Sequence, residues 1–176
     1  MKSCRTNSTG CWREDNMERV NKICSHPVWK QQLEQLQEAE KNRIFCCHGI
    51  EHLLDVARIA YIENLEQGYG ISKEIIYAAS LLHDVGRFLQ YSQGIPHEVA
   101  GAELAPRILE DCGFTEEEQQ EILEVIREHR NKGQKTSQKL PGLIYRADKK
   151  SRNCGFCKAC ESCNWSQEKK NLTINI

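Results

Sequence analysis

Apolar residues recur along this chain every three or four positions, and that period constrains the fold more than any other feature. Between His48 and Gln67, residues Ile50, Leu53, Leu54, Ala57, Ala60 and Tyr61 stand at offsets of 0, 3, 4, 7, 10 and 11, one face of a helix. Gly68 and Gly70 end that stretch. Ser72 then reads as an N-cap, with Glu74 in the first turn of a helix carried by Ile75, Ile76, Ala79 and Leu82. A looser segment from Gln90 to Pro96 precedes a helix from His97 to Asp111. Thr115-Glu116-Glu117-Glu118 has the form of a capping box and opens a helix through Ile122, Val125 and Ile126 to Arg130. Asn131 to Thr136 is a polar loop, and Ser137 to Arg152 a last long helix with a proline near its first turn. Upstream, Pro27 opens a helix through Val28, Trp29, Leu33 and Leu36 into the charged stretch Glu38 to Arg43, read as packing without chemistry. With no β alternation and no internal repeat, the expectation is an all-α single domain of five to seven helices.

A chain of 176 residues is long enough for one domain with a sizeable core and a small appendage. The expected division is a polar, disordered lead at 1–16, a helical domain at 17–152 and a cysteine-rich tail at 153–176, with Met17 as an alternative start. A net charge of -1 leaves no global basic footprint for nucleic acid, so anion binding must be local. No apolar run reaches membrane-spanning length, and Met1 to Trp12 lacks the apolar core of a signal peptide. A cytoplasmic protein is expected, and there its ten cysteines point to metal binding or buried thiols rather than to disulfides.

The histidines and aspartates are informative because of where they fall on the apolar stripes. His52 stands four before Val56 and seven before Ile59; His83 continues Ile75, Ala79 and Leu82. His97 begins a stripe through Gly101, Leu104 and Ile108, and His129 extends Ile122, Val125 and Ile126 by one turn. Asp148 stands four after Ile144, where an unpaired charge would be costly to bury. Four inward histidines on four helices, with two aspartates, are how helical bundles build metal sites.

In Leu81-Leu82-His83-Asp84-Val85-Gly86-Arg87, an apolar run ends in an adjacent imidazole and carboxylate. Neighbouring helical side chains diverge by about 100°, so both reach one metal only near the helix end, which Gly86 marks. Together with Glu51-His52-Leu53-Leu54-Asp55-Val56-Ala57-Arg58 upstream and Ala147-Asp148-Lys149 downstream, this stretch resembles the HD-domain superfamily of metal-dependent phosphohydrolases, over residues 48–152. The resemblance implies a metal site at His52, His83, Asp84 and Asp148. His97 and His129 resemble the pair that some branches add to hold a second metal bridged by the central aspartate, here Asp84. Iron or manganese suits such mixed imidazole and carboxylate ligands. His48 shares a helix face with His52, and two histidines so spaced can form a metal pair by themselves; the family pattern favours His52 as the ligand, leaving His48 as a neighbour of the ligands, a substrate contact or a surface residue.

The implied reaction is hydrolysis of a phosphomonoester or phosphoanhydride by metal-bound hydroxide. Asp84, Arg87 and Lys149 form the expected catalytic set. His48, Arg87, Lys149, Lys150 and Arg152 are the expected substrate contacts, the cations holding phosphate. Arg87-Phe88 replaces the acidic pair of the stringent-response branch, and the Gly-Tyr-Pro signature of the cyclic-dinucleotide branch does not occur. Nucleotides or dinucleoside polyphosphates remain the closest substrate class. Two alternatives stay open: a diiron oxygenase built on the same six ligands, and a non-catalytic metal-binding signalling module.

Cys154, Cys157, Cys160 and Cys163 repeat every three residues, a spacing used for structural zinc or iron–sulfur clusters. Cys46 lies six before His52 and Cys154 six after Asp148. If His52 and Asp148 meet on antiparallel helices, Cys46 or Cys47 joins Cys154, Cys157 and Cys163, leaving Cys160 spare. All four tail cysteines together, or free thiols, are the competing readings.

Overall fold

The alternation of apolar stripes and glycine or proline stops seen in the sequence becomes a bundle of short helices in the computed structural model, which describes residues 17–174. The polar lead at 1–16 lies outside the described residues. Eight α-helices follow in order: α1 (Glu18–Ser25), α2 (Pro27–Glu40), α3 (Ile50–Gln67), α4 (Lys73–Leu82), α5 (Arg87–Gln93), α6 (His97–Cys112), α7 (Glu116–Glu128) and α8 (Leu140–Lys150). Short 3-10 turns lie at Lys132–Thr136, Cys154–Phe156 and Gln167–Lys169. Among the described residues there is no strand, and no helix is long and apolar enough to cross a membrane.

The helix ends follow local chemistry. His26, the one histidine outside the apolar stripes and the site, accepts from Val28 N–H at 3.2 Å and so caps α2 ahead of Pro27. Gly68 and Gly113 end α3 and α6 with φ of 65° and 84°. Both halves of the Thr115 capping box form. Ser72 holds the N-cap position of α4 without a side-chain bond; Glu74 instead accepts from the Arg19 backbone and guanidinium of α1. The segment expected to be loose from Gln90 begins inside α5, which Gly94 ends at φ 72°. Seven residues long and without a buried residue, α5 carries no apolar stripe. The polar loop at 131–136 tightens into a 3-10 turn.

Helix α3 packs on α4 and α8, α6 on α7 and α5, and α4 on α7. Ile76 and Leu82 of α4, Ile108 and Leu109 of α6, Ile122 and Ile126 of α7, and Leu143 and Ile144 of α8 are fully enclosed between them. Burying each such side chain is worth about 1.5–3 kcal/mol, and the stripes lock the rotation of every helix. The polar residues that continue those stripes are therefore carried inward too.

Candidate metal centre

His52, His83, Asp84, His97, His129 and Asp148 come from five helices or their ends and are all buried. They meet where the C-terminal end of α4 faces α3, α6, α7 and α8. Gly86 makes this approach possible. A Cβ there would lie 2.3 Å from Gly101 N and 2.4 Å from His97 O, so only glycine lets the turn after Asp84 lie against α6.

Asp84 stands between two groups. Its Oδ2 lies 3.4 Å from His83 Nε2 and 4.0 Å from His52 Nε2; its Oδ1 lies 3.3 Å from His97 Nε2 and 3.6 Å from His129 Nε2. His52, His83 and Asp84 form one set with the spacing of metal ligands, and Asp84, His97 and His129 another. Asp148 Oδ1 is 3.4 Å from His52 Nε2.

In all four rings Nδ1 is turned outward to an oxygen and Nε2 inward. His83 Nδ1 donates to Ser80 O at 2.7 Å and His129 Nδ1 to Ile126 O at 2.9 Å. His97 Nδ1 donates to the Gln90 side-chain carbonyl at 2.5 Å. Ser151 gives its hydroxyl proton to Asp148 O and so accepts from His52 Nδ1 at 3.1 Å. These acceptors place the proton on Nδ1, the tautomer whose Nε2 lone pair can serve as a ligand; in His52 that lone pair accepts from Arg152 Nη2 at 3.1 Å.

The donor set fits a divalent metal. His83 Nε2 is buried without a hydrogen-bond partner. His97 Nε2 and His129 Nε2 lie 3.0 Å apart, with Asp84 Oδ1 beside both. One shared proton would join only two of these three atoms, whereas a cation satisfies all three. Burial, followed by the neighbouring Arg152, pushes the His52 pKa down to about 2, and burial pushes His97 to about 3. Both rings are thus neutral at physiological pH, as ligands must be. Burial alone would raise the Asp84 carboxyl, but Arg87 and His83 outweigh it and hold it well below the usual carboxylate range. For Asp148 the same contest is won by Lys149 and His83.

The expected substrate contacts divide. Arg87 Nη2 donates to Asp84 Oδ1 at 2.8 Å, while its Nε is buried and unpartnered. Arg152 is buried, with Nη2 3.1 Å from His52 Nε2 and Nη1 on Cys47 O. Lys149 pairs with Asp148 Oδ2. Lys150 instead pairs with Glu63 at 3.0 Å, beside Arg146. His48 is buried, its ring edge-on to His52 with centroids 5.6 Å apart.

Three side chains around the site do not appear among the expected residues. Glu40, 3% exposed, binds His48 Nδ1 at 2.6 Å and its backbone N–H at 2.7 Å, and accepts from Tyr91 at 2.8 Å. A signal for it exists: Trp29, Leu33 and Leu36 extend by one more turn onto Glu40. Gln90 and Ser151 orient His97 and His52 from positions without any such signal. A cavity of about 300 Å³ opens beside His52, bordered by Glu40, Lys41, Arg43 and Glu51.

The HD domain family model matches residues 49–153, the span that contains all six residues. The chain is 44% identical over 158 residues to an uncharacterized protein of Clostridium beijerinckii, covering 90% of this chain and 99% of that one. It is 40% identical over 72 residues to an uncharacterized protein of Methanocaldococcus jannaschii, 38% of each. Its fold resembles the crystal structure of a predicted HD superfamily hydrolase from an uncultured Thermotogales bacterium, with a TM-score of 0.57, 23% identity and 87% of each chain covered. The matched span and the helical architecture agree: this chain belongs to the HD domain family, whose members include metal-dependent phosphohydrolases.

Proposed function

We propose that this protein hydrolyses a phosphomonoester or phosphoanhydride of a small molecule, a nucleotide or dinucleoside polyphosphate, at a two-metal centre formed by His52, His83, Asp84, His97, His129 and Asp148. The observation that carries the reading is the position of Asp84, with one carboxylate oxygen toward His52 and His83 and the other toward His97 and His129. Divalent metals, iron or manganese by ligand type, would supply there an acidified water and neutralise phosphoryl oxygens.

The chain's own residues do the positioning. Asp84 stays ionised and spans both halves. Arg87, already held by Asp84, keeps Nε free to donate to a phosphoryl oxygen. Arg152 and Lys149 neutralise charge beside Asp148. Lys41 and Arg43 border the cavity that reaches His52 and favour an anionic ligand, while His48, fixed by Glu40, borders the reacting end. Lys150 belongs to the outer rim, where Glu63 competes for it.

The test is phosphate release from a panel of nucleotides and dinucleoside polyphosphates by protein loaded with iron, manganese or zinc, set against oxygen uptake by the reduced iron form. Release is expected, with Asp84→Asn lowering kcat/KM by about a hundredfold or more, since the lost charge stabilisation amounts to several kcal/mol. Oxygen uptake without phosphate release would replace this reading with the oxygenase one.

A further inference from the structure

Four cysteines of the tail and two of the α2–α3 connection lie outside the His/Asp centre. Cys46, Cys154, Cys157, Cys160 and Cys163 line one small cavity together with Phe45 and Lys170. Cys46 is more than a hundred positions from the others in sequence, yet it shares their cavity; burial pushes its thiol pKa up, and the nearby Cys157, Cys154 and Cys163 push the same way. All eight described cysteines are free thiols. Cys47 turns away, toward the carbonyls of Glu40 and Phe45.

Little else holds this region. Beyond α8 the described chain contains only three-residue 3-10 turns, and Phe156, Leu172 and Ile174 are more than half exposed. No apolar core organises it. Even so, the backbone is closed tightly around the thiols. Asn171 Nδ2 donates to the carbonyls of Lys149 and Arg152 at 2.6 and 2.8 Å, Gly155 N–H donates to Asn171 O at 3.0 Å, and Lys170 Nζ donates to Cys160 O at 2.7 Å. Cys157 and Cys160 each donate their backbone N–H one step back along the tail, to Cys154 O and Cys157 O, so the thiols sit on successive turns. Such a segment, short and coreless, is the kind that proteins cross-link with a metal.

We infer that Cys46, Cys154, Cys157 and Cys163 form a second, thiolate metal site that ties the C-terminal tail to the connection ahead of α3, with Cys160 as a neighbouring thiol. An all-sulfur donor set selects zinc or an iron–sulfur cluster. Sulfurs around a single zinc lie about 3.8 Å apart for Zn–S bonds of about 2.3 Å. No three of the described thiols meet within the 4.8 Å that the His/Asp groups satisfy. A single ion therefore draws the sulfurs inward, whereas a cluster accepts a wider spacing. The site is independent of the proposed hydrolase activity.

The experiment uses the full chain, purified under anaerobic conditions. Metal and acid-labile sulfide are measured before and after titration with an organic mercurial, which releases thiolate-bound metal and leaves a His/Asp-bound metal in place. About one equivalent of releasable zinc per chain, or iron released with matching sulfide, is expected. Cys46→Ser and Cys157→Ser should each lower that pool tenfold or more, while Cys47→Ser leaves it unchanged. Cobalt(II) in place of zinc should give thiolate-to-metal charge-transfer absorption, lost in Cys46→Ser. The wild-type titration needs no variant to fold: no mercurial-releasable metal after reconstitution with zinc or with iron and sulfide overturns the site, as does Cys46→Ser retaining the full pool.

Discussion

Each inward imidazole is held from behind by a specific oxygen, and two of those oxygens belong to side chains that can be changed. Ser151→Ala removes the acceptor of His52 Nδ1 without opening a large cavity. Metal affinity, measured by chelator competition, should fall by about ten- to a hundredfold, while the melting temperature of the metal-free protein changes little. Unchanged affinity would mean that Ser151 does not orient the ring. The inward faces of His52, His83, His97, His129 and Asp148 were legible in the sequence because each extends an apolar stripe. Glu40 extends one as well, but it lies in the run Glu38 to Arg43, where surrounding charge makes it look solvated. Ser80 and Ile126 act through backbone carbonyls, which no side-chain pattern records.

At the scale of elements, the turn after α4 and the start of α6 are in backbone contact, and Gly86 is the residue that permits it. Gly86→Ala places a methyl group 2.3 Å from Gly101 N, and the opposing atoms are backbone that cannot swing aside. A loss of about 3 kcal/mol in chemical denaturation is expected, accompanied by loss of metal binding because Asp84 and His97 part. Full stability in that variant would show that the two segments separate freely. The glycine itself is plain in the sequence as a helix stop, but the helix it approaches is not. The same limit hid α5, whose seven residues bury nothing and so leave no period to read. Helix α1 leaves little signal for a different reason: its buried Val20 and Ile23 stand in a short, otherwise polar stretch.

For the whole molecule, one cation ties α1 to two other helices beyond the core packing of Val20 and Ile23. Arg19 donates to Glu74 at 2.8 Å and to Glu118 at 2.5 Å, linking α1, α4 and α7. Arg19→Ala should cost on the order of 1 kcal/mol, a fall of about 2–4 °C in Tm for a chain of this size. The hydrogen bond from Arg19 lowers the Glu118 pKa below its usual 4.5. A carboxyl depressed in the folded state contributes stability above its unfolded pKa and loses that contribution as pH falls through the folded value. The Tm difference between wild type and Arg19→Ala should therefore be full near neutrality and shrink as pH drops below 4.5; a difference that persists undiminished at about pH 3 would assign it to packing instead. At this scale the all-α class was legible from periodicity alone, while the meeting of Cys46 with the tail depended on how α3 and α8 lie together. One further consequence belongs to the cell. His97 and His129 present ring nitrogens to each other at 3.0 Å, a contact that a bound cation relieves, and a ligand held at a hundred times its Kd stabilises the folded chain by about 2.7 kcal/mol. Protein made during metal starvation should then be cleared faster by proteases than protein made in replete medium, so that its abundance follows metal supply, and pulse-chase labelling in the two media measures that difference.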